Sequence, residues 1–227
     1  MAGRPVPTSV RRLARLRQKK PREAERLFLA EGRSLVEDAP VSPLSMYTER
    51  EDVERLSSLE TPTGPVGVFA FLDVEVEELL GSRDRLVLLH GVQDPGNVGT
   101  VIRAAHAFGA GVALSKGCAD LYNPKTVRAT MGSIFHAPVA REVESAGFIE
   151  LAREAGFASA AAVPEGGGSP RSALSSRTLV VVGAEGSGLP EEVEAACDAR
   201  VSIPARAPSL NAAVAASILL YEAYAVC

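Results

Sequence analysis

Residues 86–114 read LVLLHGVQDPGNVGTVIRAAHAFGAGVAL, and their order decides the fold class. The apolar run Leu86 to Leu89 reads as a buried strand, a Pro-Gly turn follows, the stretch from Asn97 to Phe108 is helical in pattern, and Gly111 to Leu114 is strand-like again. Strand, helix and strand in that order imply a parallel sheet, because only a long crossover joins parallel neighbours. Working outward, further strands are expected at Ala158 to Val163, Thr178 to Val182 and Arg200 to Ile203. Helices are expected around Phe148 to Ala155, Glu191 to Ala196 and Asn211 to Ala225. The last of these is apolar on most sides, through Val214, Ile218, Leu219 and Tyr221, so it should be buried or lie in an interface. The whole is α/β without internal repeats.

At 227 residues, 46% hydrophobic and 23% charged, the chain can bury a sizeable core and is too apolar to be disordered. Cys118, Cys197 and Cys227 are odd in number and lack a C-x-x-C pair, so neither a disulfide framework nor a zinc site is suggested, and a reducing cytoplasm fits. His90, His106 and His136 are scattered, and no metal is expected. No window approaches the roughly 20 apolar residues of a membrane span, and no signal peptide is expected.

The net charge of −4 hides an asymmetry. Residues 1–33 hold ten Lys or Arg against three Glu, a local +7 that leaves −11 for the remainder. Thr8 or Ser9 can cap a helix whose apolar stripe is Val10, Leu13 and Leu16, and whose back carries Arg11, Arg12, Arg15, Arg17, Lys19 and Lys20. Such a patch suits a polyanion; a solvated basic helix is the competing reading. Pro21 opens a second segment with Leu27, Phe28 and Leu29 apolar and Gly32 as a stop, while Val66 to Phe71 is β-like. A boundary near Gly81 divides the chain into domains 1–81 and 82–227.

Three loops at strand ends carry the candidate chemistry. Asn97 stands where a helix N-cap belongs, and Arg103 sits on a helix apolar almost all round, where a guanidinium needs an anionic partner or has a functional role. Gly183-Ala-Glu185-Gly186-Ser-Gly188-Leu-Pro190 follows a buried strand, and its glycines let a ligand approach backbone; a tight turn is the plainer alternative. A dinucleotide fingerprint is a poor fit, because the order is Gly-x-x-Gly-x-Gly and the loop lies late in the chain. In Val201-Ser-Ile203-Pro204-Ala-Arg-Ala-Pro-Ser209-Leu210-Asn211, taken alone, Ser209 and Asn211 are caps of the final helix. No nucleophile–histidine–acid arrangement supports hydrolase chemistry.

Taken together, N-x-G-x-x-x-R at Asn97 to Arg103, G-A-E-G-x-G-L at Gly183 to Leu189, and I-P with S-L-N-x-x-V-A at Ile203 to Ala215 resemble the signature of the SpoU (TrmH-like) RNA 2′-O-ribose methyltransferases of the SPOUT superfamily. Asn123-Pro-Lys-Thr-Val-Arg128 through Pro138 also looks like a family segment, so the resemblance covers roughly residues 85–227. The upstream pieces at Arg11 to Lys20, Phe28 to Arg33 and Glu60 to Gly64 resemble the RNA-recruiting domain of many members.

The resemblance implies an α/β, parallel-sheet catalytic domain with a C-terminal trefoil knot, preceded by a small α/β N-terminal RNA-binding domain, shortened between Thr48 and Val53. It implies a cytoplasmic homodimer with active sites at the interface, and S-adenosyl-L-methionine held by main-chain groups at Gly183, Ile203 and Leu210. Arg103 matches the family's catalytic arginine, with Asn97, Ser209 and Asn211 orienting the ribose and the arginine. Glu185 would fix the loop or pair with an arginine. The RNA, ribosomal or transfer, would be contacted by Arg11, Arg12, Arg15, Lys19 and Arg128. The loop from Ile203 to Ser209 is shorter than members usually have, which implies weaker donor binding, and the competing function is an RNA-binding protein of the same fold with little catalysis.

Overall fold

The computed structural model describes residues 9–62 and 64–225. Thr8 and Cys227 lie outside the described residues. Among the described residues, nine strands form two sheets. The first three are β1 (Leu27–Glu31), β2 (Ser45–Tyr47) and β3 (Val66–Ala70), in the antiparallel order β1-β3-β2. The larger sheet contains β4 (Arg85–His90), β5 (Gly111–Ser115), β6 (Val139–Val143), β7 (Ala158–Ala162), β8 (Thr178–Gly183) and β9 (Ala199–Val201). Its order is β6-β5-β4-β8-β7-β9 and every pairing is parallel, as the strand–helix alternation predicts.

Alternation along β4 explains why the strand reads as continuously apolar. Val87 and Leu89 enter one core with Val101, Ile102, Leu219 and Leu220, whereas Leu86 and Leu88 face a second core with Leu79, Phe148, Ile149 and Val193. Helices cover both faces, so neither face needs polar residues. From β4 the chain proceeds outward through β5 to β6, then crosses to β7, returns to β8 beside β4, and leaves again to β9. The carboxyl ends of β4 and β8, in register at His90 and Gly183, thus form the switch point where open parallel sheets bind ligands.

β6 escaped the sequence pattern because Arg141 and Glu142 interrupt its apolar alternation at the sheet edge. The segment opened by Pro21 also divides where a continuous run was expected. A helix, Lys19–Glu25, ends at Arg26 in the left-handed region (φ 51°), and Leu27 to Glu31 become β1. The predicted basic helix is real but short, Val10–Leu13, continued as a 3-10 turn over Ala14–Arg17. Its apolar stripe is in the core: Leu13 and Leu16 pack with Leu27, Leu29, Val53, Leu56, Val66 and Val68. Val53 and Leu56 come from a helix, Arg50–Leu56, that lies between β2 and β3. Gly81 falls inside the helix Val76–Ser82, whose Leu79 and Leu80 pack on the larger sheet.

Buried polar contacts tie the two sheets together. The Arg22 guanidinium donates to the Leu16 carbonyl at 2.8 Å and to Asp120 Oδ2 at 2.5 Å, with only 3% of its side chain exposed. Asp120 in turn accepts from Tyr122 N at 2.9 Å. The Tyr122 hydroxyl donates to Asp73 Oδ1 at 2.7 Å, and its ring stacks on Phe71, with centroids 3.9 Å apart. Burial and the Asp73 carboxylate push the Tyr122 hydroxyl far above the usual phenol value, so it stays a donor.

Candidate active site

The helix that follows β4 runs Pro95–Ala107. Its cap is Asp94, whose carboxylate accepts from Asn97 N at 2.9 Å, and Pro95 suits the first turn because the N–H it lacks would have had no helical partner. Asn97 is therefore not the cap the sequence suggested; its side chain is left to act elsewhere. Two residues on, Gly99 is needed for packing. A Cβ there would stand 2.4 Å from Ala129 Cβ, against the helix Pro124–Ala129.

The Asn97 amide bridges the three loops. Its Nδ2 donates to Glu185 Oε1, and its Oδ1 accepts from Asn211 Nδ2 at 3.1 Å, joining residues 88 and 114 positions away in the chain. Asn211 also caps the last helix, Ala212–Ala225, accepting from Ala213 N at 2.9 Å and Val214 N at 3.2 Å. The cap reading of Asn211 therefore holds, and the same side chain also links to Asn97. Glu185 pairs with this amide and with no arginine among the described residues.

Beside the bridge lies a cleft of about 450 Å³, walled by the Gly183 to Gly188 loop, Ile203, Ala207 to Asn211, and Val163 to Glu165 from the end of β7. Gly183 permits the loop to fold back: a Cβ there would lie 2.2 Å from Gly188 C. The main-chain N–H and C=O groups of Ile203 and Leu210 have no protein partner among the described residues and are free to bond a ligand. Apolar Val182, Leu210 and Leu219 line the same space. An adenosine with a short charged tail fits this mixture of apolar wall, bare main chain and size. Val163 to Glu165 were missed in the sequence, although any loop at the carboxyl end of a parallel strand was a candidate.

Gly183, Ile203, Leu210, Ser209, Asn211 and Glu185 thus meet at one cleft, and Asn97 touches two of them. Arg103 does not line it. Nor is it buried, as the apolar helix had suggested: it lies on an exposed stripe with Thr100, His106 and Ala107 and has no hydrogen-bond or ion-pair partner among the described residues. The His106 ring lies flat on His136, centroids 4.4 Å apart, and burial with the second imidazole holds His106 below the usual histidine value. Arg128, half-buried, donates to Ser58 Oγ at 2.6 Å. Of the basic residues near the start, Arg12 pairs with Glu25 at 2.5 Å and Lys19 with Glu142 at 3.6 Å, while Arg11 and Arg15 are exposed without partners among the described residues. Among those residues, no cluster of three or more His, Cys, Asp or Glu could hold a metal ion, and no helix is long and apolar enough to cross a membrane.

An all-parallel α/β sheet with a cleft at the carboxyl ends of β7, β8 and β9, closed by glycine-rich and Ser-Leu-Asn loops, is the kind of site in which α/β enzymes bind a nucleotide cofactor. The SpoU rRNA Methylase family model matches residues 84–221, and an MRM3-like substrate binding domain matches residues 8–48. The chain belongs to the SpoU rRNA methylase family. It is 34% identical to the 23S rRNA (guanosine(2553)-2'-O)-methyltransferase RlmP of Bacillus subtilis, over 92% of each chain. An AdoMet-bound rRNA methyltransferase from Sinorhizobium meliloti superposes with a TM-score of 0.84 at 31% identity, over 94% of this chain and 93% of that one. The SpoU methyltransferase AviRb from Streptomyces viridochromogenes, in complex with AdoMet, superposes with a TM-score of 0.82 at 27% identity, over 97% and 98%.

Proposed function

We propose that this S-adenosylmethionine-dependent RNA ribose-2′-O-methyltransferase holds its methyl donor against Gly183, Ile203 and Leu210 and acts on ribosomal RNA in the cytoplasm. The Asn97 bridge carries the reading, because it gathers one residue from each motif at the mouth of the cleft. When bound, the donor supplies a methyl group made electrophilic by its sulfonium. The chain's own part is to aim a ribose hydroxyl and help remove its proton. A guanidinium keeps its proton at physiological pH. Arg103 therefore clamps a phosphate and the 2′-hydroxyl, and the proton leaves by way of that phosphate. Asn97, Ser209 and Asn211 orient the ribose, and Glu185 holds Asn97 in place.

Arg103 serves the cleft of a second copy. It lines none of its own, and the final helix exposes Tyr221 and Tyr224, 54% and 52% accessible and packed on Phe108 at the end of the Arg103 helix, with Val214 at 47%. A homodimer covers that patch and completes two sites. A C-terminal trefoil knot is part of the same reading, supported by the return of the chain from edge strand β9 to a final helix packed on Pro95–Ala107. Residues 1–81 recruit RNA and residues 82–227 methylate it.

Labelled donor and protein-free ribosomal RNA test the function. Transfer is expected, at positions that then resist alkaline cleavage, since methylation removes the attacking 2′-hydroxyl. RNA binding without donor binding at millimolar concentration would instead make the chain an RNA-binding protein of this fold. For recruitment, Arg11→Ala with Arg15→Ala should weaken RNA binding chiefly at low salt and reduce the salt slope by roughly two, one per phosphate contact. An unchanged slope would make these residues a solvated face. Deleting residues 1–20 would be a poorer test, because it strips Leu13 and Leu16 from the core.

A further inference from the structure

A second cleft, of about 490 Å³, opens on the other side of the glycine-rich loop at the ends of β4 and β8. Ala184, Glu185 and Gly188 wall both clefts, so the loop is a thin partition between them. The new cleft has a different chemistry. Apart from the Pro190 ring, its other walls are polar or bare backbone, with His90, Gln93 and Ser187 as hydrogen-bonding side chains beside the Glu185 carboxylate of the shared loop. Gln93 and Ser187 are exposed and have no partner among the described residues. His90 Nδ1 is held by Ser145 Oγ at 2.8 Å, which fixes the ring and leaves Nε2 unengaged.

A carboxamide offers a donor and an acceptor side by side, the complement of the paired donor and acceptor on the edge of a nucleobase. Single-stranded RNA presents those edges once a base is unstacked, and enzymes acting on one nucleotide commonly withdraw it into a pocket. We propose that this cleft receives the base of the nucleotide being methylated, with Gln93 reading its edge and Ser187 and the His90 ring completing the contacts. The inference rests on the methyltransferase reading. It places the base and the donor on opposite sides of one loop, whose Ala184, Glu185 and Gly188 wall both clefts.

The test uses the full-length protein saturated with S-adenosylhomocysteine and titrated with each of the four nucleoside 5′-monophosphates. The Gln93 side-chain amide is followed by NMR and assigned by its disappearance in Gln93→Leu. One nucleotide should bind about tenfold more tightly than the weakest and shift the Gln93 signals. Gln93→Leu should erase that preference, leaving S-adenosylhomocysteine affinity within about twofold, in keeping with the discrimination a side-chain amide provides. Unmoved Gln93 signals, equal binding of all four nucleotides, or a preference that survives in Gln93→Leu would each overturn the assignment while leaving the donor site intact. Failure of S-adenosylhomocysteine to bind the unaltered protein would overturn the methyltransferase reading, and this one with it.

Discussion

Arg103→Ala is expected to lower kcat for methyl transfer at least about a hundredfold, the usual scale for removing one preorganised donor to developing charge. Donor affinity should stay within about twofold, because the proposed partners of Arg103 are the ribose hydroxyl and its phosphate, whereas the donor lies against Gly183, Ile203 and Leu210. Stability should change little, since the side chain is exposed and without a partner among the described residues, and substitutions at such positions usually fall within about 0.5 kcal/mol. Arg103→Lys keeps the charge but loses the planar fork that grips a phosphate and a hydroxyl together, so it should rescue only part of the rate. Mixing Arg103→Ala with Gly183→Ala subunits asks whether the arginine works across the proposed dimer. Each variant is inactive alone, and equal mixing should restore about a quarter of the activity, because half the dimers carry one complete site. No recovery would place Arg103 in its own chain's site, and lost donor binding in Arg103→Ala would make its role structural.

The second large effect concerns the join between the two sheets. Asp120→Ala should destabilise the protein by about 3–5 kcal/mol, the cost of leaving a buried charge without its partner. Arg22 would keep only the Leu16 carbonyl, and the segment that Asp120 anchors through Tyr122 N would loosen with it. For a protein of this size each kcal/mol is worth about 2–4 °C, so thermal unfolding should begin on the order of 10 °C lower. Replacing both partners, Arg22→Met with Asp120→Leu, should recover much of the loss, because two apolar side chains leave nothing unpaired. A drop under about 1 kcal/mol in Asp120→Ala would mean that water already solvates the pair.

These outcomes separate two layers of the molecule. Arg22 belongs by sequence to the basic stretch, yet it is the least exposed of its described cations and joins the segment before β1 to Asp120. Arg17 likewise donates to the Ala14 and Ser57 carbonyls. The charge asymmetry of the first 33 residues therefore overstates the surface left for RNA, because a composition count cannot tell a solvated guanidinium from one used in packing.

The amino-acid order by itself determined the α/β class, most strand and helix positions in residues 85–225, and the three loops that carry the site. Each of these follows from local physics: a strand buried on both faces must be apolar throughout, and loops close to a ligand must be small. Tertiary structure decided how the loops meet. Asn97 looked like a cap until Asp94 took that position and freed its amide to reach Glu185 and Asn211. Arg103 looked buried until the helix turned one face outward, because a single chain's pattern does not say which apolar faces are covered by its own core and which await another molecule. β6 stayed hidden because an edge strand tolerates the charges of Arg141 and Glu142. The clefts on either side of the glycine loop exist only once β8 lies between β4 and β7, which are far apart in sequence.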